Sequence, residues 1–141
     1  MTTILRIGLG ILALIMLVVG TWNQFWPHEF YDNFPGVSDL PPFSEHLSRD
    51  FGGTSLGLGV VLACAVAVPR TVLVIPALLG TWAWSLPHFV FHMMELDHGS
   101  AADAAFNIVA TGGAAVLPPI LLTLAVVRAR QEHHTRTTMD P

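Results

Sequence analysis

The sequence predicts an all-α protein: an integral membrane four-helix bundle with both termini on the cytoplasmic side and one longer outer loop between helices 1 and 2. Three observations lead there. Charged residues make up only 11% of the 141 and apolar ones 52%, whereas a soluble domain carries about a quarter charged residues. Four apolar stretches, Ile4 to Trp22, Phe51 to Val68, Thr71 to Phe91 and Ala104 to Val127, are each long enough to cross about 30 Å of hydrocarbon at about 1.5 Å per helical residue. Five arginines (Arg6, Arg70, Arg128, Arg130 and Arg136) fall on one side of a four-crossing path and only Arg49 on the other, so the positive-inside rule sets the orientation. This composition excludes a disordered chain, a nucleic-acid binder and a disulfide scaffold. The lone Cys64, in the apolar run Val60-Val61-Leu62-Ala63-Cys64, reads as a small buried hydrophobe.

The elements follow in order within a single domain, residues 1–141, set in the inner (plasma) membrane. Helix 1 spans about 4–22. Its run is long for a signal peptide, and Val18-Val19-Gly20-Thr21-Trp22 is a poor cleavage site, so it reads as a retained anchor. Trp22 and Trp26 suit an interfacial aromatic belt. The outer loop, 23–44, is punctuated by Pro27, Pro35, Gly36, Pro41 and Pro42 and reads as an irregular lid with short turns. Helix 2 covers about 45–68, with Ser44 as N-cap and Glu45 at the positive helix end. Helix 3, about 71–97, carries Pro87, which kinks it or frees the carbonyl of Ala83. Helix 4 covers about 104–128. The polar cytoplasmic tail, 131–141, frays, leaving His133 and His134 solvated.

The two faces of the membrane differ in charge. Eight acids (Glu29, Asp32, Asp39, Glu45, Asp50, Glu95, Asp97 and Asp103) against Arg49 give the outer face a formal charge of −7. Five arginines against two acids give the inner face +3. Five of the seven histidines (His28, His46, His88, His92 and His98) are also outside. Such a surface favours cations and protons.

Helical spacing gathers the polar residues into stripes, because positions three and four apart lie above one another. On helix 3, Thr81, Ser85, His88, His92 and Glu95 form one, with His88 about 25 Å from the inner end at Thr71. On helix 2, His46, Asp50, Gly53 and Gly57 share one face. There Gly53-Thr54-Ser55-Leu56-Gly57 is a small-xxx-small pattern that admits a close neighbour. On helix 4, Asp103, Asn107 and Thr111 enter from the outer side. Polar groups in lipid are costly unless they meet, so the three stripes are expected to converge.

His88 and His92 at i and i+4, Glu95 one turn on, and His46 from helix 2 make a candidate metal set. Asp50, Arg49, Asp103 and Asn107 lie around it in support. The set suits Zn²⁺, Cu²⁺ or a haem iron. Met93 and Met94 lie beside the stripe, which argues against a soft Cu(I) site, and the metalloprotease spacing is absent. A purely structural reading stands beside this one. In it the histidines are hydrogen-bonded at the interface, Thr81 and Ser85 bond back to their own helix, and Trp82, Trp84, Phe89 and Phe91 face lipid or pack. Arg49 is then an ion pair at the rim with Asp50 or Asp103.

The segments Arg49-Asp50-Phe51-Gly52-Gly53 and Leu56-Gly57-Leu58-Gly59 resemble those of small four-helix bacterial membrane proteins in the DoxX-like neighbourhood. The resemblance covers helix 2 and the overall layout and implies four crossings; it carries no functional residue. Three functions fit these features: an outer-face His/carboxylate pocket for a metal ion or another cationic or haem ligand; a non-catalytic accessory subunit or homo-oligomer associating through the Gly53/Gly57 face; and a membrane enzyme on a lipid-soluble substrate with His88 or His92 as general base. A channel or transporter is less favoured, because no charged residue marks a path through the inner half of the helices.

Overall fold

The computed structural model describes residues 2–38, 42–96 and 100–139, and of residues 133 and 135–139 the backbone alone. Asp39, Pro41, Asp97 and His98 lie outside the described residues. Among the described residues five helices follow one another: α1 (Thr2–Phe25), α2 (Pro27–Asn33), α3 (Glu45–Ala67), α4 (Thr71–Met94) and α5 (Ala101–Met139). No strand occurs among the described residues. The helices α1, α3 and α4, and residues 101–132 of α5, are long and apolar enough to cross a membrane. Their outward faces agree with lipid as solvent: Ile7, Val72 and Val109 are 59%, 73% and 75% exposed, a pattern a water-soluble bundle would turn inside out.

Local chemistry sets the helix ends. Ser44 caps α3, its hydroxyl accepting from the Leu47 N–H at 3.4 Å. Ser100 and Asp103 form a reciprocal box at the start of α5: the Ser100 N–H donates to the Asp103 carboxylate at 3.2 Å and the Asp103 N–H to the Ser100 hydroxyl at 3.2 Å. Two stretches differ from the sequence expectation. The outer loop contains a helix, α2, opened by Pro27 at its first position, where a fixed φ and a missing N–H fit a helix start. Its inward face anchors it, with Phe30 buried. The polar residues after Arg130 prolong α5 to Met139 rather than fraying from residue 131. There Arg128 and Glu132 pair at 2.7 Å one turn apart, which favours continuing the helix.

The long helices form a ring in which α1 packs on α3 and α4 on α5, with α3 against α4 and α5 against α1. The α1–α3 seam is made by glycines. A Cβ on Gly20 would lie 2.8 Å from the Leu56 nitrogen, one on Gly52 2.6 Å from the Gln24 nitrogen, and one on Gly59 2.8 Å from Leu17. The close-approach face of α3 is therefore Gly52/Gly59, one residue round from the Gly53/Gly57 stripe. Gly53 and Gly57 are exposed, and a Cβ on Gly57 meets nothing within 4 Å.

At the end of the bundle holding the start of α1 and the α3–α4 turn, here called the base, the centre is aliphatic and closed. Leu9, Leu62 and Leu78 are fully buried, with Leu5, Leu12, Val74 and Leu121 around them. The opposite end, the mouth, is built differently.

Candidate functional site

Within the mouth, α1, α2, α3, α4 and α5 surround a cavity of about 390 Å³, inside the size range of small-molecule sites. Each element contributes by helical spacing. Met16, Val19 and Asn23 come from α1; Ser48, Phe51 and Ser55 from α3; Trp84, His88, Phe91 and His92 from α4; Asn107, Ala110, Thr111 and Ala114 from α5. Phe30 and the post-α2 residues Phe34 and Val37 close the top. The cavity is not sealed, because its lining residues Leu47, Phe91 and Phe106 are also exposed on the outside.

The wall is aromatic. Phe51 lies 5.3 Å from Trp84, and Trp84 stacks on His88 at 5.0 Å. His88 meets His92 edge-on at 4.6 Å. On the other side Phe30 stacks on Phe34 at 4.6 Å, and Phe34 meets Phe106 edge-on at 5.6 Å. The turn after α2 brings this second row across to α5. Gly36, with φ +73°, takes the left-handed conformation that glycine adopts freely, and a Cβ there would sit 2.5 Å from the Asn107 amide nitrogen.

The polar groups in the wall are amides, hydroxyls and imidazoles. No Asp, Glu, Lys or Arg lines the cavity among the described residues. Two of the polar side chains are deeply buried with an orphaned oxygen: Asn23, 4% exposed, and Ser55, fully buried, have no hydrogen-bond partner at Oδ1 and Oγ. Such groups are uncommon, because each forfeits its hydration without replacement. The hydroxyls of the α4 stripe are satisfied locally: Thr81 donates to the Ala77 carbonyl at 2.8 Å and Ser85 to that of Trp82 at 3.5 Å. On α5, Thr111 donates to the Asn107 carbonyl at 2.5 Å.

Of the residues singled out from sequence, the fold brings His88, His92 and Asn107 to one cavity. His46 and Asp50 instead pair with each other at 3.3 Å, largely exposed, on a different face of α3. Glu95 follows the last turn of α4, its N–H donating to the His92 carbonyl at 3.3 Å, and does not line the cavity. Asp103 belongs to the α5 start. Arg49 is structural, though with partners other than Asp50 or Asp103: it donates to Glu45 at 2.8 Å and to the Gln24 carbonyl at 2.6 Å. That places a cation at the C-terminal end of α1, where the helix dipole favours it. Among the described residues no three His, Cys, Asp or Glu side chains come together in a way that could hold a metal ion.

The aromatic wall and the two orphaned oxygens were not singled out from sequence, and Trp84 and Phe91, read there as lipid-facing or packing, line the cavity. The signal was present as spacing: Ser48, Phe51 and Ser55 on α3, and Trp84, His88 and Phe91 on α4, recur at steps of three and four. Comparison of the chain with protein-family models, with curated proteins and with solved structures gives no match.

Proposed function

We propose that this chain is a membrane-embedded binding protein for a neutral, lipid-soluble small molecule, held in the mouth of the bundle with His88 and His92 beside it. The observation that carries this reading is the cavity wall, aromatic and dotted with neutral polar groups but free of charged side chains among the described residues. A cation placed there would lose its hydration without a carboxylate to replace it, whereas a flat apolar molecule gains ring contacts and excludes water. The arginine distribution puts both termini in the cytoplasm and the mouth on the outer side of the plasma membrane, so ligand enters from the outer leaflet past Leu47 and Phe91. A neutral imidazole carries one donor and one acceptor, which equips His88 or His92 to orient a ligand oxygen or to act as general base on it.

The test is a calorimetric titration of the protein in lipid nanodiscs with a naphthalene probe, corrected for partition into empty nanodiscs. One saturable site per chain is expected, and its loss in Ala114→Trp, which fills the cavity. Absence of any saturable component refutes the reading. A second reading rests on the His88/His92 pair itself, whose ring centres lie 4.6 Å apart one turn from each other and could take a borderline cation with ligands from outside the chain. Stoichiometric metal in the purified protein, lost in His88→Ala/His92→Ala, would favour it over the first.

A further inference from the structure

One stripe of α1 faces one stripe of α5 along the bundle, closed at the base and open at the mouth. At the base a Cβ on Gly8 would lie 2.6 Å from the Leu121 side chain, which is itself buried. Ile15 and Val19 follow Gly8 by two and three helical turns on α1, and Ala114 and Ala110 precede Leu121 by two and three turns on α5. The two helices run in opposite directions, so Ile15 and Val19 stand at the level of Ala114 and Ala110. All four line the cavity, yet Ile15 is 44% exposed and Ala110 is exposed as well. Phe106, one turn above Ala110, also lines the cavity and is 37% exposed. A side slot therefore leads from the cavity outward between α1 and α5. The alanines of α5 leave it open at the level where a residue as large as Leu121 would fill it. Pro118 and Pro119 stand between the closed and open levels, where the missing N–H groups make a helix easiest to bend.

Position decides what fills the slot. The turn after α2 covers it from above: Phe34 meets Phe106 edge-on at 5.6 Å, and a Cβ on Gly36 would lie 2.5 Å from the Asn107 amide nitrogen. Ile15 lies about 15 Å below the outer end of α1 at Phe25, a depth at which the bilayer is hydrocarbon. The slot thus faces acyl chains rather than water or headgroups, and its walls, Ile15, Val19, Ala110 and Ala114, are aliphatic. A compact ligand held wholly inside the cavity leaves such an opening with nothing to fill it. We propose, building on the ligand-binding reading above, that the ligand is a tailed lipid: its head lies in the cavity beside His88 and His92, and a linear hydrocarbon tail leaves through the α1–α5 slot into the bilayer.

The test uses a dodecyl chain carrying a naphthyl group at one end and a photoreactive diazirine midway, dissolved in nanodiscs that hold the unaltered protein. Excess naphthalene displaces the head from the cavity and takes the tail with it, so the labelling that naphthalene removes reports the bound tail alone. That labelling is expected around Ile15 on α1 and around Phe106 and Ala110 on α5. In Ala110→Phe, which places a ring in the slot, it should fall about tenfold, while calorimetric binding of naphthalene itself stays within about threefold. Labels confined to Leu47 and Phe91, on the α3–α4 side, overturn the slot and leave the binding reading standing. Saturable naphthalene binding with no naphthalene-sensitive labelling anywhere overturns the tail in the same way. Rapid disulfide formation between copies in Ala110→Cys/Cys64→Ser would show that a second chain fills the slot, which also ends the proposal. If naphthalene does not saturate, the binding reading fails and the tail with it. The labelling map in unaltered protein is decisive even if Ala110→Phe does not fold.

Discussion

The base and the mouth of the bundle are made from the same helices and differ in what those helices carry. At the base α1, α3, α4 and α5 meet through Leu9, Leu62, Leu78 and Leu121, all essentially without exposure. At the mouth the same helices carry Asn23, Phe51, Trp84, His88 and Asn107 around a cavity of about 390 Å³. In lipid there is little hydrophobic drive between helices, and association depends on close packing and on polar groups finding one another. The base supplies the packing. The mouth keeps open space between its side chains, whereas the base is closed. The difference teaches that close packing and open space have been separated along the bundle axis.

The comparison breaks first at the base. Leu62→Ala is expected to cost about 2–5 kcal/mol, since Leu62 is fully buried and its neighbours are fixed on all sides. Ala114→Leu, in the mouth, should cost less than about 1 kcal/mol, because the added methyl groups enter existing space rather than overpack. Thermal unfolding in detergent measures both. Similar losses for the two would mean that the mouth is packed as tightly as the base.

The glycine seam is the next largest effect. In Gly52→Ala the new Cβ would meet the backbone of Gln24 at 2.6 Å, and backbone cannot rotate away as a side chain can. Separating α1 from α3 there is expected to cost about 1–3 kcal/mol and to loosen the Arg49 bond to the Gln24 carbonyl. Cross-linking between cysteines placed across the seam should slow in the same variant.

That seam also marks how far the sequence could be read. The four apolar runs set the helices that line the bundle, because a 3.6-residue period and a span length are properties of local sequence. The choice between Gly52/Gly59 and Gly53/Gly57 as the packing face was not local. Both pairs sit at helical spacing, and only the rotation of α3 against α1, fixed by Gly20 and Leu17 more than thirty residues away, selects one. The same rotation turns His46 and Asp50 outward and Phe51 and Ser55 inward, which is why the expected meeting of His46 with His88 and His92 does not occur. His88, His92 and Asn107 were legible because polar residues in an apolar helix stand out. Phe51 and Trp84 were not, since an aromatic side chain facing lipid and one facing a cavity look the same in sequence. Helix α2 was obscured by the prolines of the outer loop, which read as breakers although Pro27 starts the helix.

The closure over the mouth gives a smaller effect. Gly36→Ala is expected to cost about 1–2 kcal/mol, because φ +73° is unfavourable for any residue with a Cβ. The Asn107 amide can swing away from the new methyl group, so the backbone carries most of the cost. With the turn displaced, Phe34 should lose its edge-on contact with Phe106, and probe dissociation from the cavity should quicken while the base is unchanged. Hydrogen exchange confined to residues 27–38 would locate the loss.

The smallest expected effect concerns the exposed stripe of α3. Gly53→Leu/Gly57→Leu adds side chains where a Cβ on Gly57 meets nothing and one on Gly53 approaches only the Gln24 side-chain oxygen at 3.4 Å. Unfolding of the isolated chain should therefore shift by no more than about 0.5 kcal/mol in either direction, in contrast to Gly52→Ala one residue away. If copies of the chain or another helix dock on this stripe, the leucines hold them apart, since close approach there depends on small residues. Size-exclusion chromatography with light scattering, run beside the unfolding measurement, reads the two effects separately. A drop in oligomer mass at constant chain stability identifies the stripe as an interface. A large loss of chain stability would instead show that α3 is rotated in the membrane and that Gly53 and Gly57, rather than Gly52 and Gly59, face α1.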